Sequence, residues 1–137
     1  MANRRLRSYF LCVAILITGG SDHNDDTVHS AEVILPDGRG CSMPRLPSSG
    51  WSSHTQSGLT ACGGHAGDIM TKCHTFTAGE WEQSHILAMR RYKHLSWQSP
   101  NGILLLGGEP PAGQKSELLS TSSHTTTISF DLPYRTV

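Results

Sequence analysis

The runs AILITGG at 14–20, GLTACGG at 58–64 and GILLLGG at 102–108 decide how this chain is read. Each is a short apolar stretch closed by a glycine pair. The pairs are Gly19 and Gly20, Gly63 and Gly64, and Gly107 and Gly108, so the spacing is 44 residues, twice. Two equal intervals with matching flanks point to an internal repeat. A glycine pair after an apolar strand fits a strand-to-loop junction, where the backbone needs positive φ or close approach.

Working outward, the units agree in order. A polar loop follows each pair: 21–30, 65–71 and 109–115. A second short strand comes next, in AEVIL, KCHTF and SELL. Turns follow at Pro36-Asp37-Gly38, at Ala78-Gly79 and, more loosely, in STSSHTT. Third strands are read in CSMPRLP, EWEQSHILAM and ISFDLPY, each leading into a connection. His54 and His94 then recur 40 residues apart, just before the next apolar run. Helical arrays share this period, but apolar residues rarely recur here at three and four. Glycine, serine and threonine interrupt every stretch. The expected fold is therefore all-β, built of four-stranded antiparallel units.

The pattern resembles the kelch repeat, whose signature is four apolar residues, a glycine pair, then an aromatic residue and a tryptophan. ILIT, LTAC and ILLL supply the apolar part, and Phe76 and Trp81 match the aromatic and Trp positions of the middle unit. The first unit has Cys41 in place of the tryptophan, and the third has Phe130 at another spacing. Arg90 or Arg91 matches the arginine that precedes a first strand in the family; Gly50 stands there in the first join. The resemblance implies a kelch-like β-propeller fragment with structural roles for Gly19, Gly20, Gly63, Gly64, Gly107, Gly108 and Trp81. Residues 1–11 read as a basic or signal-like start, 12–49 as a partial first blade, 50–89 as the second, and 90–137 as an incomplete third. Propellers close with about four to eight blades, so this chain alone does not close a ring. Self-association is expected of such a piece, with Leu59, Ile103 and Leu105 on wet faces.

The N-terminal apolar run has two readings. MANRRLR followed by SYFLCVAILITGG is arranged as a secretory signal is. The repeat instead makes 14–20 a strand. A run of this length is short for a transmembrane helix, which needs about 20 apolar residues, so a membrane role is not expected.

Composition narrows the function. Eleven basic and eleven acidic residues balance, which argues against nucleic acid as a partner. The chain carries 14 glycines, 7 prolines and few charges, as turn-rich β structure does. Four cysteines occur. Cys62 and Cys73 lie on consecutive strands, where an antiparallel pair brings Cα atoms close enough for a disulfide. Two buried thiols are the alternative. Cys12 and Cys41 are left to pair with each other or with partners elsewhere. A bridge implies an extracellular or secretory location, the cytoplasm being the other reading.

No catalytic residue, cofactor or metal centre is read. Cys62, His65, Cys73 and His74 are soft ligands, but adjacent strand residues point to opposite faces and do not share an ion. GEPPAGQKS at 108–116 misses the phosphate-loop pattern, because Gln114 separates Gly113 from Lys115. Asp22, Asp25 and Asp26 form an acidic patch in the first polar loop, a candidate contact for a basic partner. The expected function is a kelch-type protein-interaction scaffold, not an enzyme. The alternative is a fragment of a secreted propeller enzyme of the galactose-oxidase-like type.

Overall fold

A computed structural model describes residues 14–47, 54–65, 70–109, 115–120 and 126–131. Among the described residues the chain forms eleven strands and no helix. β1 (Ile15–Thr18), β2 (Ala31–Ile34) and β3 (Gly40–Ser42) make the first sheet. β4 (Thr55–Ser57), β5 (Thr60–Cys62), β6 (Lys72–Thr77) and β7 (Glu80–Ile86) make the second, in sequence order. β8 (Leu95–Ser99), β9 (Gly102–Leu106), β10 (Lys115–Ser120) and β11 (Thr126–Asp131) make the third, also in sequence order. Every pairing is antiparallel.

The glycine-pair strands are β1, β5 and β9. They end at Thr18, Cys62 and Leu106, two residues before the second glycine of each pair. Positive φ at Gly19, Gly20, Gly63, Gly64, Gly107 and Gly108 stops the ladder there. The apolar run at 14–20 is thus a strand, β1, across Ile15–Thr18. Residues 1–11, Cys12, Gly50 and Trp51 lie outside the described residues.

The sheets stack face to face, and strand alternation sets which residues meet. In the second sheet Cys62 and Cys73 point to one side, where they join Ile103, Leu105 and Leu119 of the third sheet and Leu87 of the connecting segment. Ala61 points to the other side, with Leu46 from the segment after β3 and with Trp81. Trp81 also donates its indole N–H to the Pro44 carbonyl at 2.9 Å and meets Phe76 edge-on at 5.4 Å. Polar contacts follow the same parity. Gln56 accepts from the Thr18 hydroxyl of the first sheet at 2.8 Å, while Ser57 donates to Gln98 of the third at 3.4 Å.

This parity corrects the expected wet faces. Ile103 and Leu105 are buried against the second sheet. The outward residues of β9 are their neighbours Leu104 and Leu106, since a shift of one residue reverses the face. Leu59 is exposed, but it sits in the tight turn between β4 and β5.

Cys62 and Cys73 are cross-strand partners, and they are bonded as a disulfide with Cα atoms 4.1 Å apart. The Gly63 N–H donates to the Lys72 carbonyl, so the cysteines occupy a non-hydrogen-bonded pair, the closer of the two antiparallel spacings. Reduction of this bridge is expected to lower stability by roughly 2–4 kcal/mol. Denaturation with and without reductant measures the loss, and peptide mapping without reductant identifies the pair. Cys41 is free and exposed.

Candidate functional site

The two ends of the sheets differ. At one end, β4–β5, β6–β7 and β8–β9 are joined by two residues each: Gly58 and Leu59, Ala78 and Gly79, Pro100 and Asn101. Positive φ at both Ala78 and Gly79 gives the hairpin turn that matches the strand twist. At the other end lie loop 21–30 and the glycine pairs from which the next segments leave the sheets, residues 66–69 and 110–114 lying outside the described residues. The connection between the second and third sheets, 87–94, runs at this end too.

Segment 87–94 is the floor of this end. Arg91 is fully buried, as is Glu117 of β10, and Arg91 Nε donates to Glu117 Oε2 at 3.0 Å. Nη1 donates to the Gly107 and Lys115 carbonyls at 2.7 Å each. Glu117 also accepts from the Ala88 N–H. One guanidinium thus ties the connection to the end of β9 and the start of β10, and its carboxylate ties the connection's start. Backbone contacts complete the seam: Gly64 N–H donates to Arg91 O, and Glu109 N–H to Tyr92 O. Gly63 permits this approach. A Cβ at Gly63 would lie 2.5 Å from Arg91 O and 2.8 Å from His94 Cε1.

The two recurrent histidines do equivalent work. His54 Nε2 lies 2.8 Å from Thr18 Oγ1, and His94 Nε2 lies 2.8 Å from Thr55 Oγ1. Each precedes a sheet and reaches back to a threonine of the sheet before it. Burial, then the charge of Arg91, then that of His54 lower the His94 pKa to about 3. Burial and Lys72 lower that of His74. The unfolded chain therefore binds more protons than the fold between the ordinary histidine value of about 6.5 and about 3. Stability is expected to fall as pH drops through that window, by up to about 1.4 kcal/mol per unit from His94 alone. Urea midpoints at a series of pH values measure this, and His94→Gln should flatten the slope.

The acidic loop is organised by its first carboxylate. Asp22 Oδ1 accepts from the Asn24 N–H at 2.8 Å and the Asp26 N–H at 3.1 Å. Asp25 adopts positive φ, and both Asp25 and Asp26 are exposed. Asp22 therefore shapes the loop, leaving Asp25 and Asp26 to present charge. Among the described residues, no three His, Cys, Asp or Glu side chains gather as a metal site would need. Cys62 and Cys73 are bonded to each other, and His74 lies on the opposite side of β6 from Cys73. Residues 110–114, which carry most of the phosphate-loop near miss, lie outside the described residues.

Glu117 is the residue that the sequence reading passed over. SELL reads as an ordinary strand, and its partner Arg91 lies 26 residues earlier. The available signal was a carboxylate followed by two leucines on a repeat-equivalent strand. No family model matches the chain, and no curated protein matches it.

Proposed function

We propose that this chain is a kelch-like β-propeller segment that serves as a non-catalytic protein-interaction scaffold. The observation that carries the reading is the recurrence of the glycine-pair strand in three stacked antiparallel sheets, with the three glycine pairs at one end. A rigid stack with tight turns at one end and loop 21–30 at the other suits recognition by loops. Asp25 and Asp26 make a basic segment the favoured contact for loop 21–30. The buried Cys62–Cys73 bridge supports folding in an oxidising compartment, hence an extracellular or secretory location. Among the described residues no helix is long and apolar enough to cross a membrane.

The test is proximity labelling of the secreted chain, followed by binding assays with each labelled protein. Variants replace loops 21–30, 65–71 and 109–115 with Gly-Ser segments, one at a time. Loss of a partner on replacing a loop, with the disulfide and circular dichroism retained, is the expected result. A partner unaffected by all three replacements would overturn the loop-end assignment.

A further inference from the structure

Each sheet has a leading face and a trailing face, and inside the chain a trailing face packs on a leading face twice. The trailing face of the first sheet carries Thr18, which meets His54 and Gln56. The trailing face of the second carries Cys62 and Cys73, which meet Ile103, Leu105 and Leu119. The residue pairs facing across strands are equivalent: Thr18 with Ala31, Cys62 with Cys73, and Leu106 with Ser116.

The third pair marks the trailing face of the third sheet, where Ser116 is buried, Leu106 is half-buried and the β8 side is exposed. It is strongly apolar. Leu95 and Trp97 of β8 share it with Leu104, Leu106 and Leu118, because Leu95 pairs with Leu106, Trp97 with Leu104, and Leu104 with Leu118. Leu95 and Trp97 are 58% and 59% exposed. The leading face of the first sheet is open as well. Ile15 and Ile17 alternate with Leu16 and Thr18, and they are 62% and 46% exposed. Ile34 pairs with Ile15 and extends the same face, and Glu32, which pairs with Ile17, adds an exposed carboxylate to it.

We propose that these two faces are complementary and join one copy of the chain to a second, head to tail. The trailing face of the third sheet receives the leading face of the partner's first sheet, continuing the packing that each chain makes internally. This rests on the sheet faces and not on any role of the loops. Leu95, Trp97, Ile15 and Ile17 are large apolar side chains held exposed, and clusters of such residues mark interaction surfaces. The two faces differ from each other, so the contact is heterologous, and it closes into a ring only if the rotation per copy allows it. Pairing through β7 and β11, the last strands of the second and third sheets, is the competing mode.

Sedimentation equilibrium on the full chain tests this. The wild type is expected to exceed its 14.9 kDa monomer mass, increasingly with concentration. Trp97→Glu removes only the trailing face, and Ile17→Glu only the leading one. Each alone should be monomeric, while their mixture should form a 1:1 dimer, since one good face remains on each. Leu95→Glu and Ile15→Glu serve the same roles if either first variant loses its circular dichroism or its Cys62–Cys73 bridge. A monomeric wild type overturns the proposal. So does a variant that associates alone, which would indicate edge pairing or a like-to-like contact, and so does a mixture that stays monomeric.

Discussion

Glu117→Leu is expected to destabilise the chain by roughly 3–5 kcal/mol, although no exposed group is touched. Arg91 has no exposed side-chain surface, and Glu117 is the only carboxylate seen to pair with it among the described residues. Removing the carboxylate strands a buried cation and also leaves the Ala88 N–H without this acceptor. The desolvation cost of Arg91 remains while the attraction that offset it is lost. The double variant Arg91→Met, Glu117→Leu removes both charges together. It should be more stable than Glu117→Leu alone, because a packed apolar pair of similar volume replaces a buried ion pair at little net cost. The Gly107 and Lys115 carbonyls lose a donor in that variant, so full recovery is not expected. Chemical denaturation of the wild type and the two variants gives the three energies. Equal loss in both variants would mean that the pair's geometry, not the stranded charge, carries the effect.

Gly63→Val is the second large effect. Gly63 has φ of 66°, and a Cβ there would press on Arg91 O and His94 Cε1. A β-branched residue in this conformation costs about 1–3 kcal/mol in backbone strain. Overpacking against a connection pinned by a buried ion pair adds about 1–3 kcal/mol. The expected loss is about 3–5 kcal/mol in all, which lowers the thermal midpoint by about 10–20 °C. Gly58→Ala is the contrast. Gly58 also has positive φ, but nothing lies within 4 Å of its Cβ position, so only the strain should appear. Differential scanning of the two variants separates strain from crowding. An unchanged midpoint for Gly63→Val would mean that the seam between the second and third sheets relaxes freely.

The strand order and the glycine-pair ends were legible in the sequence because both are local. Ile15–Thr18, Thr60–Cys62 and Gly102–Leu106 are short apolar runs that positive φ must stop, and a repeat shows them three times. The Cys62–Cys73 bridge followed from the same local order, because neighbouring strands joined by one loop must pair. Face assignment was not legible. Leu105 and Leu106 are chemically identical, and only the register against Glu117 and Ser116 decides which is buried. The Arg91–Glu117 pair was hidden for a related reason, since its partners sit on different elements and meet only when sheets stack. Trp97 shows the same limit: it is a large aromatic, yet its register against Leu104 leaves it exposed on the trailing face of the third sheet.

The central claim is that the second sheet is sandwiched, with one face against the first unit and the other against the third. A methyl-resolved nuclear Overhauser experiment tests it most directly, because Ala61 and Cys62 are neighbours in sequence with opposite surroundings. The account predicts cross-peaks from the Ala61 methyl to Leu46, and from the Cys62 and Cys73 β-protons to the methyls of Leu105 and Leu119. Cross-peaks from the Ala61 methyl to Leu105, or none between the second and third sheets, would contradict it.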